Sequence, residues 1–130
     1  MTDTVTKCKK RIQKLLTSIS RLRDNGCVFR DFIKESGYKC GGYTMAEHIV
    51  SRKFSNTYSD LDNIICLCYV HHIIFKPESP TVYTRIVKEY LGEGWVEEIE
   101  KKARKSCNFG LKDWQKEEER LKEVLAELST

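Results

Sequence analysis

Proline, histidine and long apolar runs are scarce in this chain, and each scarcity excludes something. No apolar stretch approaches the roughly 20 residues that a transmembrane helix requires, so no membrane span is expected. The opening Met1-Thr2-Asp3-Thr4-Val5 has no apolar signal core, so the expected location is the cytoplasm, with no membrane partner. The only two prolines, Pro77 and Pro80, bracket Glu78-Ser79 and mark a single strong break. There is no internal repeat and no low-complexity tract. The Cys-x2-Cys pair of a common zinc knuckle is also missing, because Arg30 stands three residues after Cys27.

What is present suits a small soluble domain. The 130 residues are 40% hydrophobic and 32% charged, enough for one modest core and much charged surface. In a reducing compartment the six cysteines are expected to be thiols or metal ligands rather than disulfides. The net charge of +4 is unevenly spread. Residues 1–26 carry seven Lys/Arg against Asp3 and Asp24, which is +5, whereas residues 111–130 carry four bases and six acids, which is −2. A basic front end suits a polyanion, and equally a solvated helix face.

Taken in order, the pattern predicts an α+β, mostly helical fold. Ile12, Leu15, Leu16, Ile19 and Leu22 form one apolar stripe over residues 5–24, a basic amphipathic helix stopped by Asn25-Gly26. Its stripe is expected on the core and its basic face along phosphates. Phe29, Phe32 and Ile33 suggest a short helical turn that buries itself. Tyr43–Val50 and Asn63–Cys68 read as strands, separated by a polar loop from Ser51 to Asp62. A loop of that length in a small domain is usually functional. A helix after Cys68 is expected to stop before Pro77. Tyr83, Ile86, Val87, Tyr90 and Leu91 share one face of the next helix, and a short helix around Trp95, Val96, Ile99 and Ala103 follows. The last helix, 111–128, places Leu111, Trp114, Leu121, Leu125 and Leu128 at three- and four-residue steps, with Glu118 interrupting. Packing within the chain is expected there, and a homodimer through that helix is the alternative.

All three histidines fall between Ala46 and Lys76, with two of the six cysteines. Cys68-x2-His71 has the spacing of half a zinc site. The other half is expected from Cys27 and Cys40, whose intervening segment can close back on itself at the glycines beside Cys40. The proposed ligands of a structural zinc are therefore Cys27, Cys40, Cys68 and His71, with Cys66 as the competing ligand and Cys8 and Cys107 as bystanders. The opposing reading is a set of buried thiols and a core histidine. A second cluster comprises Glu47, His48, Asn63 and His72. Metal-assisted phosphodiester hydrolysis needs a base, a divalent cation and a group that orients the base, and this cluster offers all three. Adjacent strand residues point to opposite faces, so Glu47 and His48 share a site only where the strand twists or ends.

The order Glu47-His48-Ile49, loop, Asn63-Ile64-Ile65-Cys66-Leu67-Cys68, then His71-His72 and Phe75-Lys76, resembles the HNH endonuclease family, specifically its small phage-borne members. Tyr83, Gly92 and Trp95-Val96 add a weaker similarity to the Rap/NinG-type phage recombination nucleases, which act on branched DNA. The resemblance covers residues 27–100. It implies a ββα-metal core with a structural zinc and flanking N- and C-terminal helices. The chain is expected to form a single compact domain made of the basic helix at 1–26, the zinc-stabilised core at 27–80 and a helical extension at 81–130. The resemblance implies hydrolysis of duplex or branched DNA in phage DNA processing or recombination. His48 would be the general base, Asn63 would orient the loop and the base, and Glu47 and His72 would hold Mg²⁺ or Mn²⁺. His71 stands where a cysteine is commoner in the family. Lys76 stands where some members have a third histidine ligand. A protonated lysine is not a metal ligand, so Lys76 and Arg52 are expected to bind phosphate. The alternative function is a zinc-stabilised DNA-binding module that does not cut.

Overall fold

The apolar stripe at the head of the chain forms a helix that supports everything after it. In the computed structural model, which describes residues 2–130, α1 runs Val5–Asp24. The Thr4 hydroxyl accepts from the Lys7 N–H at its start, and Asn25 closes it in the left-handed conformation. A 3₁₀ turn, Val28–Asp31, and α2 (Ile33–Ser36) lead to β1 (Thr44–His48). Next come α3 (Ser55–Tyr58), a 3₁₀ turn at Leu61–Asn63 and β2 (Ile64–Cys68). A π-helical turn, Val70–Phe75, runs into α4 (Lys76–Glu78), followed by α5 (Pro80–Leu91), α6 (Glu93–Ala103) and α7 (Leu111–Leu128). The fold is α+β and mostly helical, with one antiparallel two-stranded sheet. No helix among the described residues is long and apolar enough to cross a membrane.

The hairpin is covered on both sides, which explains why β2 reads as an unbroken apolar run. Ile65 and Leu67 join a core with Phe29, Phe75, Tyr83, Ile86 and Val87. Ile64 and Ala46 join a second core with Ile12, Leu16, Ile19, Tyr58, Trp114 and Leu121. The strands pair in the register Ala46 to Cys66, Glu47 to Ile65 and His48 to Ile64. Polar side chains of α1 then occupy both outer edges of the hairpin, whose backbone groups would otherwise be unpaired. Thr17 Oγ1 accepts from the Ala46 N–H at 3.2 Å, and Arg21 donates to the Thr44 carbonyl. Asp24 Oδ2 accepts from the Cys66 N–H at 2.9 Å, and Arg23 donates to the Ile64 carbonyl.

Several sequence expectations need correction. The segment from Ser51 to Asp62 is not a plain loop, since it contains α3 and is tied down from outside. Asn56 donates to the carbonyls of Lys102 and Lys105, Lys102 pairs with Asp60, and Arg120 donates to the Ser59 carbonyl. The helix after β2 does not stop before Pro77. The Lys76 N–H bonds to the His71 carbonyl, five residues back, whereas the Ser79 N–H bonds to Phe75, four back. Pro77, which has no N–H to offer, sits where the register changes. Ile33, Leu22, Tyr90, Trp95 and Leu128 are exposed rather than on the core.

Glu118 does not interrupt the α7 stripe; it is a buried part of it. Its carboxylate receives Arg11 Nε at 2.7 Å and Arg11 Nη2 at 3.0 Å, and the Cys8 thiol at 3.5 Å. Helix α7 therefore packs on α1 within the chain, as Trp114 and Leu121 also show. Arg11's hydrogen bonds hold the Glu118 carboxyl below its usual range against the opposing effect of burial. A depressed carboxyl contributes stability above the ordinary carboxylate pKa and loses it as pH falls through the depressed value. Glu118→Gln should therefore lower the urea midpoint at pH 7, and the gap to wild type should begin to close only as pH falls below the ordinary carboxylate value of about 4.3. Leu121→Ala should cost about 2–5 kcal/mol at any pH in the same unfolding measurement.

Candidate metal centre and adjoining cleft

Three elements bring the sulfur donors together. Cys27 precedes the 3₁₀ turn, Cys40 lies just before β1, and Cys68 ends β2. The π-helical turn then places His71 among them. Its Nδ1 lies 3.6 Å from Cys27 Sγ, 3.7 Å from Cys40 Sγ and 3.2 Å from Cys68 Sγ. All four donor atoms lie within 4.8 Å of one another. A tetrahedral zinc centre with bonds of about 2.3 Å to sulfur and about 2.0 Å to nitrogen separates those donors by about 3.5 Å. The Cys₃His set therefore suits a zinc ion in both softness and spacing. Cys66 is buried outside the group, and Cys8 and Cys107 are elsewhere.

The orientation of His71 fits the same role. Its Nε2 lies 3.1 Å from the Tyr38 carbonyl and 3.2 Å from Ser36 Oγ. A carbonyl only accepts, so Nε2 carries the proton and Nδ1 turns its lone pair to the thiols. Burial lowers the His71 pKa against the pull of the Tyr38 carbonyl, which keeps the ring neutral and able to ligate. Burial pushes the Cys27 thiol up to about 12 and raises Cys40 as well. For Cys68, burial is outweighed by the backbone N–H groups of Gly41 and His71, and its pKa falls. Ser36 and Tyr38 were not legible as part of the site, because one acts through a small hydroxyl and the other through a backbone carbonyl.

On the other side of β1 lies a cleft of about 680 Å³. It is lined by Glu47 and His48 of β1, Arg52, His72 and Lys76, and by Gln13 and Thr17 of α1. Glu47 and His48 reach the same cleft because β1 ends at His48. His72 Nδ1 donates to Glu47 Oε2 at 2.6 Å, and Lys76 Nζ to Glu47 Oε1 at 3.0 Å. Burial works to raise the Glu47 pKa, but His72 and Lys76 outweigh it and keep the group ionised. Lys76, expected on phosphate, is thus engaged by the carboxylate, while Arg52 is exposed and makes no ion pair among the described residues.

His48 is held from behind. Its Nε2 donates to the Tyr58 carbonyl at 2.8 Å. Nδ1 therefore keeps the lone pair; it has no protein partner among the described residues and is not among the buried unpartnered atoms. Burial, with the charges of Arg52 and Lys76, pushes the His48 pKa down to about 4, although the Tyr58 carbonyl and Glu47 act upward. The imidazole is neutral at pH 7. Asn63 holds this arrangement from within. Its Oδ1 accepts from the Val50 N–H at 2.7 Å, and its Nδ2 donates to the carbonyls of Val50 at 3.1 Å and Thr57 at 3.0 Å. One amide thus fixes the turn after His48 and the residue beside Tyr58, whose carbonyl orients the ring.

Set against protein-family models, curated proteins and solved structures, the chain finds no match. The chemistry must therefore be read from the geometry.

The metal centre makes a direct prediction. Elemental analysis should find one zinc per chain, and Cys68→Ser should lose both the zinc and the cooperative melting transition. Ser36→Ala should weaken zinc affinity by about 10-fold while the fold persists, since it removes a partner of His71 Nε2 and the hydroxyl that accepts from the Tyr38 N–H. Asn63→Ala should lower stability by about 1–3 kcal/mol for each backbone group it leaves unpaired, measured by urea unfolding.

Proposed function

We propose that this chain is a metal-dependent DNA endonuclease of the HNH type, built on a ββα-metal core with a structural zinc. The observation that carries the reading is His48. It is a neutral imidazole anchored by Nε2, with Nδ1 free toward a cleft that also holds the Glu47–His72 pair and Arg52. A general base needs this combination of fixed orientation, available lone pair and access.

Glu47 and His72 would hold Mg²⁺ or Mn²⁺, completed by water and phosphate oxygens, once the ion displaces the proton that His72 Nδ1 now donates to Glu47. Bound there, such an ion would supply charge stabilisation for the scissile phosphate and the leaving oxygen. The residues supply the remainder. His48 Nδ1 takes a proton from the water that attacks phosphorus. Asn63 keeps the His48 turn and the Tyr58 carbonyl in place while the proton moves. Arg52, exposed at the cleft, binds a phosphate beside the scissile one. The P–O3′ bond breaks and the leaving 3′ oxygen takes a proton from solvent water, leaving 5′-phosphate and 3′-hydroxyl ends. Nicked, duplex and branched DNA all present this bond, and a role in phage DNA processing or recombination would draw on any of them.

One observation favours a second reading, a zinc-stabilised DNA-binding module that does not cut. Lys76 already neutralises Glu47, so a divalent ion must compete with its ammonium group. A cleavage assay separates the two. Plasmid DNA with Mg²⁺ or Mn²⁺ should be nicked by wild type and cut about 10²–10⁴-fold more slowly by His48→Ala, with zinc content unchanged and a cooperative melting transition retained. Equal, intact plasmid for both proteins across metals and substrates leaves only the non-cutting module.

A further inference from the structure

The seven basic residues of the first 26 are divided by the structure into two groups with different work. Four are occupied. Lys9 Nζ sits over the rings of Tyr58 and Trp114, at 4.7 Å and 5.1 Å. Arg11 is held by Asp3 and Glu118. Arg21 and Arg23 serve the edges of the hairpin. The other three, Lys7, Lys10 and Lys14, are exposed and make no ion pair among the described residues.

These three are not scattered. Lys7, Lys10, Lys14 and Thr17 follow one another at helical steps of three and four, and Gln13 lies three after Lys10 and four before Thr17, so the five share one arc of α1. Gln13 and Thr17 on that arc line the cleft that holds Glu47, His48 and His72. The lysines therefore continue the cleft along the helix. From Lys7 to Lys14 the axis rises about 10 Å, which matches about three phosphate steps of one B-form strand. Gln13 adds an independent sign of a ligand. Its Oε1 is buried at the cleft and has no hydrogen-bond partner. A buried acceptor left unpaired in the free protein is a cost that a donor on a bound molecule would remove.

We infer that this arc of α1 is the second wall of the substrate cleft: Lys7, Lys10 and Lys14 bind the sugar–phosphate backbone of DNA flanking the cut site, and Gln13 hydrogen-bonds the nucleotide that enters the cleft. The inference rests on the nuclease reading for the identity of the strand. It assigns the chain's N-terminal helix to substrate binding, beyond its part in the core. Phosphate contacts position the strand and carry the salt dependence, whereas Gln13 touches a nucleotide at the reacting centre.

The test uses the full chain and a fluorescein-labelled DNA duplex with no divalent ion added. Binding is read as a function of salt. The triple variant Lys7→Gln, Lys10→Gln, Lys14→Gln should bind at least about 10-fold more weakly, with a log–log salt slope shallower by about 2–3. A control, Lys105→Gln, Lys112→Gln, Lys116→Gln, removes the same charge from exposed positions outside this arc and should stay within about twofold of wild type. Gln13→Leu should bind DNA less tightly yet melt at a higher temperature, since it removes the unpaired acceptor without a substitute. Equal losses from both triple variants would reduce the effect to net charge and overturn the inference. So would an α1 triple variant that binds and nicks plasmid like wild type, and in that case the nuclease reading would survive. A wild-type chain that neither binds nor nicks DNA would overturn both.

Discussion

A hairpin of two five-residue strands cannot hold itself in water, and most of this structure is arranged around that constraint. The hairpin is supported from three directions. Helix α1 supplies side chains to both of its outer edges through Thr17, Arg21, Arg23 and Asp24. Two separate apolar cores pack against its faces. At its open end, Cys68 joins Cys27, Cys40 and His71 in a set of donors that a single zinc ion can tie together. A metal there would link three segments distant in sequence, which is one way a domain with a small core gains cooperative folding.

The same support positions the chemistry. β1 and β2 are short, and both functional ends are turns: His48 where β1 stops, Asn63 immediately before β2 starts. Asn63 satisfies every polar atom of its amide against Val50 and Thr57, so it fixes a turn that apolar packing alone would leave loose. The π-helical turn does similar work at the other end. Successive helical side chains diverge by roughly 100°, so the neighbours His71 and His72 face different partners, one the thiols and the other Glu47. The zinc-like centre and the cleft are thus joined through one peptide bond.

Much of this was legible from spacing. Cys68-x2-His71 announced half of the metal set, and the absence of a nearer pair pointed to Cys27 and Cys40. The residue types between Ala46 and Lys76 marked Glu47, His48, Asn63 and His72 as a second cluster, and Glu47, His48 and His72 line one cleft. What stayed hidden was carried by backbone carbonyls and by long-range pairing. The carbonyls of Tyr58 and Tyr38 set the tautomers of His48 and His71, yet a carbonyl belongs to every residue and marks none. Glu118 looked like a fault in an apolar stripe, because periodicity counts polarity and cannot see Arg11 arriving from the other end of the chain. Lys76 looked free for phosphate because its partner, Glu47, lies 29 residues away. Pro77 looked like a stop, because the change of hydrogen-bond register that accommodates it depends on the π-helical turn.

The central claim is the division of labour between two adjacent histidines. Measuring zinc content and plasmid nicking together on His71→Ala and His72→Ala tests it most directly. The account predicts a double dissociation. His71→Ala loses zinc, cooperative melting and nicking together, whereas His72→Ala keeps its zinc and its melting transition and loses only the nicking. Zinc lost from His72→Ala, or retained in full by His71→Ala, would contradict it.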